Sequence, residues 1–171
     1  MPRVELIIPA LNEEPSLGPL LAEIPPGLFS RVLVVDNGST DATAAVAGAA
    51  GVAVVAEPRR GYGRACLRGL QSLSPGADVV VFMDADSSSV PAEAAALVEP
   101  IALDRADLVI GSRLLGRAEP GALPLHQRFG NRLATALIRL LFGFPYSDLG
   151  PFRAIRVSSL RSMGMSDTTY G

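Results

Sequence analysis

The 171-residue sequence has no lysine and no tryptophan, a single cysteine, a single histidine and only 5% aromatic residues. One cysteine, Cys66, excludes an internal disulfide framework and a cysteine-rich zinc site. One histidine, His126, excludes a histidine cluster. Any metal must therefore be held mainly by oxygen, which favours Mg²⁺ or Mn²⁺ over structural zinc. A formal net charge of −2 without a long run of like charge argues against a nucleic-acid partner. No apolar stretch is long enough to span a bilayer. Met1-Pro2-Arg3 leads straight into a strand-like segment, without the apolar core and cleavage site of a signal peptide, so a cytoplasmic location is expected.

What is present is 49% hydrophobic residues in a length that suits one core, and hence one domain spanning 1–171. Every basic residue is arginine, which reflects either phosphate recognition through planar bidentate donors or genome composition. Residues 1–86 carry 10 acids and 6 arginines, whereas 87–171 carry 7 acids and 9 arginines. The second half is the better place for an anionic partner.

Runs at 4–8, 32–35, 52–55 and 78–83, apolar but for Glu5 and Asp78, predict strands. Helices are predicted near 13–24, in the alanine-rich stretch after Asp41, at 64–73 and near 91–101. Further on, 108–110 and 152–155 read as strands, 127–142 and 158–163 as helices, and 111–124 as a Gly- and Pro-rich loop. Strands without a period of two are covered on both faces, so the class is α/β with a mostly parallel central sheet. In such sheets ligands bind at the carboxyl ends of the strands. The polar clusters after Ile8, Val35 and Met83 all fall there.

Asp84-Ala85-Asp86 follows the most hydrophobic strand, and its carboxylates project the same way across one small residue. Such a pair can chelate a cation that bridges two phosphate oxygens. The competing reading is a strand end followed by capping residues, Ser87-Ser88-Ser89.

Ile8-Pro9-Ala10-Leu11-Asn12-Glu13-Glu14, Val35-Asp36-Asn37-Gly38-Ser39-Thr40-Asp41 and Gly61-Tyr62-Gly63-Arg64-Ala65, taken with the Asp84-Ala85-Asp86 pair, resemble the family 2 glycosyltransferases. Asp107-Leu108-Val109-Ile110-Gly111-Ser112-Arg113 and Ser147-Asp148-Leu149-Gly150-Pro151-Phe152-Arg153 resemble its dolichyl- and polyprenyl-phosphate mannosyl- and glucosyltransferases. The resemblance covers almost the whole chain and implies a GT-A, Rossmann-like three-layer sandwich. It implies Pro9, Ala10 and Glu13 in the nucleotide pocket, Asp36 on the nucleobase, and Asp84, Ala85 and Asp86 on the diphosphate, with Asp84 and Asp86 holding Mg²⁺ or Mn²⁺. Asn37 stands where many members have a second Asp. Gly61 and Gly63 would let the backbone approach the donor, with Arg64 either on a phosphate or a solvated helix residue, and Arg113 on the donor. Asp148 and Arg153 are expected across the cleft from the metal motif, Asp148 near the acceptor, with Arg153 or Arg128 near the acceptor phosphate. Glu14 reads as a helix N-terminal residue, while Ser39, Thr40 and Asp41 read as turn and cap.

The implied reaction is inverting transfer of a hexose from a nucleotide sugar, UDP-glucose or GDP-mannose, with a polyprenyl or dolichyl phosphate as the favoured acceptor. A hydroxyl acceptor needs a base, for which Asp148 is the candidate; a phosphate monoester is largely a dianion at neutral pH and needs none. The segment 128–142 combines arginines with a broad apolar face. It suits the inner membrane surface and a lipid-phosphate acceptor; the competing reading, the commoner fate of an amphipathic helix, is packing on the sheet or a homodimer contact. Asp167 to Gly171 ends where related enzymes continue, which reads as truncation. The alternatives are a sugar nucleotidyltransferase, whose glycine-rich Arg and Lys signature is missing from 9–14, and a non-catalytic nucleotide-binding module.

Overall fold

The run 4–10 is buried at every position, and this is possible only for a strand with helices over both faces. The computed structural model describes residues 1–112 and 125–168, and within these all side chains except those of 125–129, 131 and 132. The strands are β1 (Val4–Ala10), β2 (Arg31–Asp36), β3 (Ala53–Ala56), β4 (Val79–Phe82), β5 (Leu108–Ile110) and β6 (Arg153–Arg156). The helices are α1 (Glu14–Ala22), α2 (Thr43–Ala49), α3 (Tyr62–Gln71), α4 (Ala94–Ala102), α5 (Leu125–Phe142) and α6 (Val157–Ser162), with a 3₁₀ turn at Pro91–Glu93 before α4.

The strands form one sheet in the order β3-β2-β1-β4-β6-β5. β1 pairs in parallel with β2 and β4, and β2 with β3, while β6 runs antiparallel to β4. Successive side chains of β1 alternate between faces. Leu6 and Ile8 meet Leu17, Leu20 and Ile101 of α1 and α4 in one core layer. Ile7 meets Ala65, Cys66 and Leu160 of α3 and α6 in the other. The arrangement is the three-layer α/β sandwich expected. Cys66 is core, at 4% exposure, and burial pushes its thiol up to about 11.

α3 begins at Tyr62 rather than at 64, because Gly61 takes the N-cap position with φ 140°, a value only glycine adopts easily. α3 lies close on the sheet at Gly69, where a Cβ would fall 2.6 Å from Ile7 Cγ2. By contact the chain divides into two units, Met1–Val109 with Phe152–Gly171, and Ile110–Pro151. Among the described residues no helix is long and apolar enough to cross a membrane.

Candidate active site

Parallel pairing aligns the carboxyl ends of β2, β1 and β4, with Ala10 opposite Asp36 and Ile7 opposite Phe82. The loops leaving these ends enclose a cavity of about 320 Å³. Pro9, Ala10, Leu11 and Glu13 line it from the first loop, Asn37 from the second, Gly61, Tyr62 and Ala65 from the start of α3, and Asp84, Ala85 and Asp86 from the end of β4. Asp36, Gly63 and Arg64 do not line it. Asp36 instead accepts a hydrogen bond at Oδ1 from the Ser39 amide, 3.1 Å. Gly63 is buried within α3.

The first two loops are tied by exchanged helix caps. The N-cap residues of α1 and α2, Glu13 and Ala42, make no side-chain cap of their own, so the exposed amides must find other acceptors. The Glu13 amide donates to Thr43 Oγ1 at 2.8 Å and the Glu14 amide to Asp41 Oδ2 at 3.2 Å. In return the Ala42 amide donates to Glu14 Oε2 at 3.0 Å. Asn12, at φ 57°, accepts from the Thr40 amide at 2.8 Å. Glu14 is thus the helix N-terminal residue expected, although the helix it caps is the neighbouring one.

A hydrogen bond from the Thr43 hydroxyl holds the Asp41 carboxyl below its ordinary value, and Arg59 does the same for Glu57. With lowered folded-state values, the unfolded chain takes up protons first as pH falls. Stability from these groups is present at neutral pH and is lost on acidification from the ordinary carboxyl range down through the lowered values. Thermal melts of the metal-free protein should show Tm falling through that window, with a smaller fall for Asp41→Asn.

Asn37 and Tyr62, neither of them a candidate from sequence, organise the far wall. Asn37 is 4% exposed. Its Nδ2 donates to the carbonyls of Glu57 at 3.0 Å and Arg59 at 2.9 Å, and its Oδ1 accepts from the Gly61 amide at 2.9 Å. An amide can donate and accept at once; a carboxylate only accepts. Asn37→Asp would set negative charge against two carbonyls. It is expected to lower the unfolding free energy by about 1–3 kcal/mol, the usual cost of buried unpaired polar groups, read as a lower midpoint in chemical denaturation.

Asp84 is half-buried and Asp86 exposed, while Met83 and Ala85 between and before them are buried at 0% and 2%. This alternation turns both carboxylates to the same side. Asp84 Oδ1 accepts from the Tyr62 hydroxyl at 3.0 Å, and Asp86 Oδ1 from the Ser88 amide at 2.9 Å. Burial raises the Asp84 carboxyl above its ordinary value; the Tyr62 hydrogen bond opposes the rise, and the charge of Asp86 adds to it. A cation would relieve this, since it favours the ionised pair. Among the described residues no group of three or more His, Cys, Asp or Glu side chains could hold a metal. The donor set fits a cation that takes two carboxylates from the protein and its other oxygen ligands from phosphate and water, as Mg²⁺ and Mn²⁺ sites on nucleotides do.

Arg153 departs from the placement expected. It pairs in register with Phe82, two residues before Asp84, and its charge lowers the Asp84 carboxyl. β6 is antiparallel to β4, so the start of β6 lies beside the end of β4 and Arg153 is next to the metal motif, not across from it. Arg153 also lines a smaller, mainly apolar pocket of about 120 Å³ with Tyr62, Cys66 and Phe82. Asp148, in the second unit, is 2% exposed and accepts at Oδ1 from the Leu149 amide at 2.8 Å. Arg113 and the side chains of His126 and Arg128 lie outside the described residues.

A model of glycosyl transferase family 2 matches residues 5–164. An uncharacterised glycosyltransferase of Mycobacterium tuberculosis is 40% identical over 170 residues, covering 98% of this chain and 74% of the relative. An undecaprenyl-phosphate mannosyltransferase of Micrococcus luteus is 34% identical over 172 residues, covering 95% and 70%. Among solved structures, the glucosyl-3-phosphoglycerate synthase of Mycobacterium tuberculosis, in complex with Mn²⁺, UDP and glucosyl-3-phosphoglycerate, superimposes with a TM-score of 0.73 at 27% identity. The match covers 94% of this chain and 59% of that one, and the shared fold is GT-A.

Proposed function

The chain belongs to glycosyl transferase family 2, and from that premise we propose that it is the donor-binding, catalytic part of an inverting hexosyltransferase acting on a nucleoside-diphosphate sugar. The observation that carries this reading is the convergence of Asp84 and Asp86 with Pro9, Glu13, Asn37 and Gly61 on one cavity at the strand ends. Residues 1–171 are read as a single catalytic domain. UDP-glucose and GDP-mannose are the donors of choice, and the structural relative's complex with UDP and Mn²⁺ supports the first.

Asp84 and Asp86 would hold Mg²⁺ or Mn²⁺, which supplies charge neutralisation of the leaving diphosphate. The protein's own groups do the rest. Pro9, Ala10 and Glu13 bound the nucleotide side, Asp36 serves the base from the loop beside them, and Gly61 brings backbone close to the donor. Arg64, Arg113 and Arg153 supply positive charge for phosphate. An acceptor oxygen attacks the anomeric carbon as the bond to the diphosphate oxygen breaks, which inverts that centre.

The acceptor of choice is a polyprenyl phosphate. The Micrococcus relative is named for such an acceptor. In the second unit, Leu133, Leu137, Leu140 and Leu141 recur at helical spacing on α5 and are 46–79% exposed, with Phe142 and Phe144 exposed after them. An apolar stripe of this kind beside Arg139 suits a lipid surface, here the inner face of the membrane. Arg128 and Asp148 are the acceptor-side residues of this reading, while Arg153 belongs with the metal motif; a second copy of the chain is the other partner for the stripe.

A small phosphorylated acceptor is the second reading, favoured by the likeness to glucosyl-3-phosphoglycerate synthase. Incubation with labelled UDP-glucose or GDP-mannose, Mn²⁺ and either undecaprenyl phosphate or 3-phosphoglycerate separates the two. Label extracted into organic solvent only with the lipid supports the first. Label on 3-phosphoglycerate alone overturns it.

A further inference from the structure

Resting on that reading of the Asp84 and Asp86 pair, we propose that Tyr62 is a positioning residue for the cation, its hydroxyl holding Asp84 in the orientation the metal requires. The hydroxyl donates to Asp84 Oδ1 at 3.0 Å. A carboxylate at the end of a strand can rotate about two side-chain bonds, and a fixed donor on one oxygen selects one orientation. Partners of this kind, bonded to a ligand and not to the metal, set ligand direction and basicity.

Two features separate this from simple packing. First, Tyr62 sits on a rigid element. Its helix is held at one end by the Asn37 bond to the Gly61 amide and lies against Ile7 at Gly69, where there is no room for a Cβ. A group mounted on a helix so fixed keeps its place better than one on a loop. Second, the ring borders both cavities: its hydroxyl end meets the acidic motif, and its body lines the apolar pocket with Cys66 and Phe82. Phenylalanine would fill the apolar side equally well, so the hydroxyl answers to Asp84. Tyr62, which the sequence offers only as the residue between two glycines, is on this view part of the metal site.

The test compares Tyr62→Phe with Tyr62→Leu. The dissociation constant of Mn²⁺ is measured by electron paramagnetic resonance at a fixed, saturating concentration of UDP, with thermal melts in EDTA as the check on folding. The expected result is that both variants bind Mn²⁺ about 10- to 100-fold more weakly than the wild type, the range typical for loss of such a partner, and by similar factors. In the melts Phe should stay near wild type, since it retains the ring, and Leu should fall. Wild-type affinity in Tyr62→Phe, with weakening confined to Tyr62→Leu, would overturn the proposal and leave the metal site intact. A wild-type protein that takes up no Mn²⁺ with UDP overturns the parent reading, and the role of Tyr62 with it.

Discussion

Asp84→Asn is expected to remove metal-dependent nucleotide binding and, in the same protein, to raise the melting temperature measured in EDTA. The first effect follows from charge. Asparagine removes one of the two negative charges that would hold the cation, so metal-dependent nucleotide binding should weaken by more than the roughly 10- to 100-fold typical of losing a partner behind a ligand. The second effect follows from burial. The Asp84 carboxyl is held above its ordinary value by desolvation first, with Asp86 adding to the rise. A raised folded-state value means that the ionised form costs the folded protein free energy at neutral pH, and that the cost vanishes as pH falls and both states become protonated. Asparagine keeps the shape and an oxygen for the Tyr62 hydroxyl without the charge. The gain in Tm should therefore be present at neutral pH and disappear below the ordinary carboxyl range. Asp86→Ala should lose metal-dependent binding to the same degree. Calorimetric titration with UDP and Mn²⁺, paired with melts in EDTA, reads both effects. An Asp84→Asn protein that binds normally would show that the cation is not held there.

Gly61→Ala is expected to damage stability and binding together. Gly61 has φ 140°, and a Cβ there would lie 2.8 Å from the Thr168 carbonyl oxygen, a backbone atom that cannot swing aside. The backbone conformation alone costs a residue with a side chain about 1–3 kcal/mol, and relief of the clash adds to it. For a chain of this size each kcal/mol lowers Tm by roughly 2–4 °C. Gly61 also joins Asn37 to Tyr62, so any shift that makes room for the methyl group moves the hydroxyl away from Asp84. Both Tm and the Mn²⁺-dependent affinity for UDP should fall. Gly48→Ala, where a Cβ would meet nothing within 4 Å, should leave both near wild type. A Gly61→Ala protein matching the wild type in both measurements would remove the loop from the site.

What could be read along the chain was whatever depends on local pattern. Apolar runs within β1, β2 and β4, interrupted in β1 only by Glu5, marked buried parallel strands, and the polar residues after each then had to share one edge of the sheet. The period of two alone places Asp84 and Asp86 on the same side. What escaped depends on partners far away in sequence. The Tyr62 hydroxyl meets an aspartate 22 positions later, and Asn37 meets Gly61 across 24. Nothing in a Gly-Tyr-Gly helix start says which way the ring points. Arg153 was misplaced because β6 comes after a separate unit of chain, and its direction in the sheet is set by how the chain re-enters, which periodicity does not encode. The exchange of caps between α1 and α2 escaped for the same reason: Glu14 obeys the rule for helix starts, but at the neighbouring helix.

The central claim is that Asp84 and Asp86 bind a nucleotide sugar through a divalent cation. The most direct measurement titrates UDP-glucose and, separately, GDP-mannose into the wild-type protein with Mn²⁺ present and again in EDTA. Saturable binding of one donor with Mn²⁺, lost in EDTA and lost in Asp86→Ala, is the expected result. Binding of equal strength in EDTA, or no binding of either donor in Mn²⁺, would contradict it.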